Sequence, residues 1–190
     1  LYDKHIYPYI EKILSRLELR KIRSNKGSQE KIPNVLLFGY HRVGQEFVKA
    51  FEKNGYSFLI VDYNPSSVER LEKEKLPYRY GDAEDAEFLE ELNIHKTKLI
   101  VSTIPDFDTN LLLVRFINKQ NTKAITIVVS HNVDQALELY RSGATYVIMP
   151  HYLGAQYAAK MIENLKLDRS EFQDEKEKHL KYLHKNFQQA

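Results

Sequence analysis

Short apolar runs alternate with longer amphipathic segments through most of this chain of 190 residues. The six runs cover residues 35–38, 58–61, 78–80, 99–101, 125–129 and 146–149. Most of them are apolar at consecutive positions, which is typical of strands buried on both faces rather than of strands with one solvent-facing side. Because both faces of such strands need cover, the segments between them are expected to be helices.

Helix start and stop signals in those segments agree with this expectation. Asn64 followed by Pro65 supplies a capping side chain and a proline at the first helical position. Gly55 and Gly143 stand where glycine commonly ends a helix. Helices are predicted over 44–54, 66–75, 85–92, 108–118, 133–142 and 152–167. We therefore predict an α/β fold, a doubly wound Rossmann-like sheet of six mainly parallel strands with helices on both faces.

The two ends of the chain differ from this central region. Residues 1–23 carry apolar side chains at helical spacing and basic residues toward their end, which predicts a basic amphipathic helix. Residues 24–32 are polar and without period, which indicates a linker. The α/β domain is assigned to 33–167. The charged tail at 168–190 is expected to be a docked helix or a frayed end, and its sequence does not distinguish these.

Composition excludes several classes of protein. The 28 lysines and arginines nearly balance the 26 acidic residues, so a nucleic-acid binder with a strong basic surplus is not expected. The absence of cysteine excludes disulfides, thiolate zinc sites and a cysteine nucleophile. The chain begins with Leu1 and its first methionine is Met149, so we expect either a piece of a longer protein or a trimmed terminus.

The glycine-containing turn from Gly39 to Gly44 joins the first strand to the first helix. Main-chain N–H groups and the helix dipole at such a turn favour an anionic phosphate. The expected pattern of a dinucleotide site is G-x-G-x-x-G, and His41 replaces its middle glycine. That glycine lets a pyrophosphate approach the backbone closely. A histidine would intrude on it, although a protonated imidazole would also bind a phosphate.

Asp62 ends the second strand, about 20 residues beyond the glycine turn, which is the spacing of the ribose-binding carboxylate in dinucleotide sites. A carboxylate there accepts hydrogen bonds from the ribose hydroxyls and disfavours NADP by repelling its 2′-phosphate. The alternative is that Asp62 only caps the following turn at Asn64.

Polar residues also follow the third, fourth and fifth strands. Ligands of open α/β sheets bind outside the carboxyl ends of the strands, so these residues are expected to border the same crevice. Asp82 is a candidate for the adenine amino group, and Ser102 and Thr103 are candidates for the ribose or phosphate. Equally, they are ordinary polar residues of strand-to-helix turns.

Four further segments, taken with the glycine turn, make the chain resemble the RCK, or TrkA-N, domain. They are residues 61–65, 80–83, 106–110 and 142–150. The resemblance covers about residues 33–165, and no companion RCK-C subdomain is apparent after residue 167. With a basic helix in front, the chain looks most like the cytoplasmic C-terminal domain of a Kef-type cation:proton antiporter.

The resemblance implies an adenine-nucleotide site, a homodimer and a gating role. The implied ligand is AMP or NAD(H), without a metal, and the chain would lie at the cytoplasmic face of the cell membrane, attached to a transmembrane transporter domain. The residues expected to bind the nucleotide are Gly39, Tyr40, His41, Arg42, Val43, Gly44, Asp62, Tyr63, Asp82, Ala83, Ser102, Thr103 and Ile104.

The basic N-terminal stretch agrees with a membrane neighbour, since basic residues collect on the cytoplasmic side of a span and are attracted by anionic lipid. A solvated helix that packs on a dimer mate is the alternative. Movement between two domains would pull on the linker at 24–32 and bias a transport pore. Four apolar residues of the fourth and fifth predicted helices are candidates for the dimer contact or for the core: Leu112, Phe116, Leu137 and Tyr140.

An enzyme is not expected. No tyrosine is followed by lysine at i+4, as a short-chain dehydrogenase would need, and no G-x-x-x-x-G-K-[ST] phosphate loop occurs. His41 and His131 are a weaker candidate for an acid–base pair, or for a metal site with Asp82 or Asp106. Two alternatives stay open: a free-standing RCK subunit of a potassium channel or uptake system, and an NAD-dependent oxidoreductase fragment.

Overall fold

The computed structural model describes residues 32–120 and 123–187 of the chain. Residues Pro33–Ala190 form one compact unit. The predicted helix at 1–23 and nearly all of the predicted linker at 24–32 lie outside the described residues.

Six parallel strands form one sheet in the order β3-β2-β1-β4-β5-β6. The strands are β1 Val35–Phe38, β2 Phe58–Asp62, β3 Tyr78–Tyr80, β4 Leu99–Ser102, β5 Ile125–Val129 and β6 Tyr146–Ile148. β1 lies at the centre, and the chain winds outward from it in one direction to β3 and in the other to β6. This is the doubly wound order of a Rossmann-like sheet, and the predicted fold class is confirmed.

Helices join the strands. They are α1 Arg42–Lys53, α2 Pro65–Glu74, α3 Ala86–Glu91, α4 Phe107–Gln120, α5 Val133–Arg141, α6 Pro150–Leu165 and α7 Arg169–Phe187, with a 3₁₀ turn at Ile94–Lys96. α6 begins two residues before its predicted start because Pro150 takes the first helical position, where a missing N–H removes no helical bond. Within the described ranges, no helix is both long enough and apolar enough to cross a bilayer.

The core explains why the strand runs are apolar at consecutive positions. All four residues of β1 are buried. Leu36 and Phe38 contribute to one apolar cluster together with Leu113 of α4, and Leu37 contributes to a second cluster together with Phe51 of α1. Successive strand residues point to opposite faces, so both faces of β1 are covered by helices.

The two C-terminal helices have no fully buried side chain among the residues that the structure describes. α6 has no buried residue, and α7 follows it after left-handed backbone at Lys166 and Leu167. The Tyr182 hydroxyl of α7 donates to Glu46 of α1 at 3.1 Å. Through residue 187 the charged tail is therefore a helix that contacts α1.

Candidate functional site

The sheet reverses its winding between β1 and β4, which are neighbours although two strands separate them in the sequence. Helices after β1 and after β4 leave on opposite sides of such a sheet, and a crevice opens outside the carboxyl ends of the two strands. The glycine turn follows β1 and residues 103–106 follow β4. The candidate site is built from these two segments and from the end of β2.

Both outer glycines of the turn are required by its geometry. Gly39 has a φ of +88°, and a Cβ there would lie 2.7 Å from the Thr103 hydroxyl oxygen. A Cβ at Gly44 would lie 2.3 Å from the carbonyl oxygen of Gly39. The turn therefore folds tightly over the start of α1, and a side chain at either position would push it open.

The middle position of the turn needs no glycine. His41 has φ −70° and ψ −169°, a backbone conformation open to any residue. Its side chain is exposed, and so are those of Arg42 and Val43. A glycine here would therefore serve only to leave space beside the turn.

The first turn of α1 is open to an anion. Among the described residues no side chain caps this helix, whereas Asn64, Asp85 and Asn132 cap α2, α3 and α5. The first helical bond is donated by Gln45, so the N–H groups before it have no partner within the helix. The first turn has no acidic residue and begins with Arg42. Its partial positive charge favours a phosphate.

Asp62 is joined to the glycine turn by hydrogen bonding. Its side chain is buried, and Oδ2 accepts from the Tyr40 N–H at 2.7 Å. Oδ1 accepts from the Asn64 N–H at 2.8 Å, so the local capping contact considered above is present as well. Each carboxylate oxygen has about two acceptor positions, and one main-chain bond leaves the other position for a ribose hydroxyl.

Tyr40 and Tyr63 are placed differently from one another. The Tyr40 ring lies in the core beside Val48, Phe51 and Leu71, and its hydroxyl donates to Glu74 of α2. Burial, together with the Glu74 carboxylate, raises the pKa of Tyr40 above its usual value. The Tyr40 side chain thus faces the core and its N–H faces Asp62. The Tyr63 side chain is 58% exposed.

The residues after β3 and β4 bind the main chain of their own and neighbouring turns. The Thr103 hydroxyl donates to the Gly39 carbonyl oxygen at 3.0 Å. Ser102 is buried, and its Oγ accepts from the Ile104 N–H at 3.3 Å. Asp82 accepts from the Glu84 N–H at 3.0 Å, while the neighbouring Ala83 is buried in the core. Of these contacts, the Thr103 bond holds the β4 segment against the glycine turn.

Asn110 was not among the predicted site residues. Its fully buried amide Nδ2 donates to the carbonyl oxygens of Ile104, at 2.8 Å, and Val129, at 3.0 Å. The neighbouring Thr109 hydroxyl lies 2.6 Å from Glu84, in the turn after β3. Both residues lie in the segment 106–110 that carries part of the family resemblance, but the sequence does not indicate which carbonyl groups they would bind.

His131 lies at the same edge of the sheet, after β5. Its ring packs edge-to-face against that of His151 in α6, with 5.5 Å between the centroids. In the parts of the chain that the structure describes, no three histidine, aspartate or glutamate residues cluster in a way that could hold a metal ion.

Comparison with known proteins identifies a family. The profile of the TrkA-N domain matches residues 35–150. The glutathione-regulated potassium-efflux system protein KefC of Cronobacter sakazakii is 25% identical over 157 residues, which are 81% of this chain and 25% of KefC. The chain thus spans about a quarter of the length of the curated relatives it matches.

Two solved structures resemble the fold. The TrkA-N domain of inner membrane protein ybaL from Escherichia coli has a TM-score of 0.65 at 21% identity and covers 70% of this chain, which covers 98% of that domain. The Kef CTD of Shewanella denitrificans in its AMP-bound form has a TM-score of 0.59 at 25% identity, with coverages of 80% and 92%. With the profile spanning more than half of its residues, this chain belongs to the TrkA-N (RCK) domain family.

Proposed function

We propose that this chain is a cytoplasmic regulatory domain that binds an adenine nucleotide and gates monovalent cation/proton transport by an attached membrane antiporter. The observation that carries the proposal is the bond between Asp62 and the Tyr40 N–H, which joins a ribose-binding carboxylate to a phosphate-binding turn. The similarity to an AMP-bound Kef domain supports the same ligand class, and the similarity to KefC supports the transport role.

In this proposal the two halves of the site divide the nucleotide between them. The phosphate lies over the first turn of α1, where uncapped N–H groups and Arg42 provide donors and positive charge. The ribose hydroxyls donate to the remaining acceptor positions of Asp62. AMP needs room for a single phosphate, whereas NAD(H) needs room for a pyrophosphate beside His41. The site therefore favours AMP over NAD(H).

The role we propose is sensing and not catalysis. The polar side chains at the crevice (Asp62, Ser102 and Thr103) bind main-chain groups, which stiffens the loops around a ligand. The match covers about a quarter of the length of a potassium-efflux protein. This favours an attached domain over a free-standing regulatory subunit and over an oxidoreductase fragment.

A homodimer is part of the proposal. Leu112, Leu137 and Tyr140 are 38%, 46% and 43% exposed on α4 and α5, whereas Phe116 packs against the core. Exposed apolar side chains of this kind on two helices are candidates for an interaction site. A second copy of the chain would cover it. A nucleotide that binds one dimer arrangement more tightly would shift the population toward that arrangement and bias the transporter.

Calorimetric titration of the chain with AMP, ADP, ATP, NAD and NADH tests the proposal. We expect AMP to bind the wild type and Asp62→Ala to abolish that binding. Asp168→Ala is the matched control, because Asp168 likewise accepts main-chain N–H bonds but lies in the turn between α6 and α7. Equal AMP affinity in the Asp62→Ala variant and the wild type, or no binding of any adenine nucleotide by the wild type, would refute the proposed function.

A further inference from the structure

A single buried amide closes a gap between two strands at the ligand edge of the sheet. Asn110 is 0% exposed in the first part of α4. Its Nδ2 donates both of its hydrogens, one to the Ile104 carbonyl oxygen at 2.8 Å and one to the Val129 carbonyl oxygen at 3.0 Å. Ile104 belongs to the loop after β4, and Val129 is the last residue of β5.

The strands need this bridge because they separate there. The last registered pair of β4 with β5 is Val101 with Ile127. Beyond it, β4 continues beside β1 through the pair Ser102–Phe38, and β5 continues beside β6 through the pair Val129–Ile148. The ladder between β4 and β5 therefore ends before the ligand edge, and the two donors of Asn110 take the place of ladder bonds.

The bridge continues to the glycine turn. Ile104 is held at its carbonyl oxygen by Asn110 and at its N–H by Ser102 Oγ, 3.3 Å away. The adjacent Thr103 hydroxyl donates to the Gly39 carbonyl oxygen at 3.0 Å. A chain of hydrogen bonds thus runs from the end of β5, through Asn110 and the β4 loop, to the turn that faces the phosphate.

The remaining atom of the amide has an energetic cost. Asn110 Oδ1 is buried and has no hydrogen-bond partner among the described residues, which is unfavourable for folding. Rotating the amide by 180° would place Oδ1 against two carbonyl oxygens, so the donors stay where they are. An apolar side chain would avoid the unsatisfied acceptor but would release both carbonyl groups.

We propose that Asn110 is a positioning residue of the nucleotide site, which fixes the loop at residues 103–106 against the glycine turn through its two carbonyl bonds. It acts through that loop and does not touch the ligand. This inference rests on the proposed function, since the ligand whose affinity it controls is the adenine nucleotide.

The test compares two sites of hydrogen bonding on opposite edges of the sheet. Asn110→Ala removes the bridge at the ligand edge, and Asn110→Ser, a smaller change, is the second variant in case the first does not fold. Thr145→Val is the matched control, because Thr145 Oγ1 accepts from the Thr126 N–H at 3.0 Å and lies at the start of β6. AMP affinity is measured by calorimetry and loop opening by amide hydrogen exchange, each on the full chain.

We expect the Asn110 variants to bind AMP about tenfold more weakly than the wild type, with faster exchange confined to residues 103–106. The Thr145 variant should keep wild-type affinity and exchange at that loop. Wild-type affinity in the Asn110 variants would overturn the inference, and so would an equal loss of affinity in the Thr145 variant.

If the wild type binds no nucleotide, the proposed function fails. Hydrogen exchange then decides separately whether Asn110 holds the loop, and unchanged exchange at 103–106 would overturn that as well.

Discussion

Three residues at the crevice show how one backbone turn can serve structure and ligand together. Gly39 and Gly44 are required by the fold, because a side chain at either would collide with an oxygen atom of the same site. His41 is not constrained in this way, since its backbone conformation is ordinary and its side chain is exposed. The fold therefore leaves the side chain at residue 41 free, and under the proposed function that side chain is available for ligand selection.

The first prediction concerns that position. We expect His41→Gly to raise the affinity for NAD relative to AMP by about tenfold or more, because the glycine lets a pyrophosphate approach the helix N-terminus. Glycine at the N-cap position costs only a few tenths of a kcal/mol relative to good capping residues, and His41 makes no cap bond, so the fold should tolerate the change. Calorimetric titration with both ligands measures the ratio. Val133→Ala, at an exposed position in the first turn of α5, serves as the control. A ratio that is the same in both variants would contradict steric selection by His41.

At the scale of elements, consecutive apolar residues predicted the strands, which are buried on both faces, and helical periodicity predicted the helices, which bury one face. The ends of elements depended on single residues. β2 extends to Asp62 and α1 begins at Arg42, two residues before its predicted start, since His41 takes the extended N-cap conformation. The tail could not be assigned from its charge pattern, because the partner of Tyr182 is Glu46, in a helix far away in the sequence.

The site was predictable only where its chemistry is local in sequence. The glycine turn follows a strand directly, and the spacing to Asp62 is characteristic, so both stood out. The sequence did not indicate the hydrogen bonds of Asn110. Their acceptors lie in the loop after β4 and at the end of β5, and the folded sheet is what brings these two places together. Likewise, no periodicity indicated that the Tyr40 ring turns into the core while its N–H reaches Asp62.

The junction between the glycine turn and α1 supports a second prediction. We expect Gly44→Ala to lower the free energy of unfolding by about 1–3 kcal/mol, because the added methyl group would lie 2.3 Å from the Gly39 carbonyl oxygen and must displace the turn. Gly154→Ala is the matched change within a helix, since nothing lies within 4 Å of a Cβ at that position of α6. It should stabilise the chain by up to about 1 kcal/mol through helix propensity. Urea unfolding measures both variants, and equal changes would show that the turn is not tightly packed on α1.

On the scale of the whole molecule, the crevice and the exposed apolar surface share one helix. The first turn of α4 carries Thr109 and Asn110, which bind the loops after β3 and β4 and the end of β5. The next turn carries Leu112, whose side chain is exposed on the surface that we assign to the dimer. Under the proposed function, a ligand that tightens the loops would act on a helix that also carries the proposed interface. This physical connection is what a regulatory domain requires, because coupling between two sites needs an element that both can bias.

The last prediction tests that interface. We expect Leu137→Glu to convert the proposed homodimer to monomer in sedimentation velocity, because it would place a carboxylate in an apolar contact where it would lose hydration without gaining a partner. Since Leu137 is 46% exposed in α5, the fold of the single chain should survive the change.

Tyr56→Glu is the control, because Tyr56 is similarly exposed, at 48%, but lies in the turn between α1 and β2. If monomer and dimer bind AMP with different affinities, the monomeric variant will also lose the dependence of AMP affinity on protein concentration that linkage then requires of the wild type. A Leu137→Glu variant that remains a dimer would assign the contact to another surface, and α6, with no buried residue, would be the next to test.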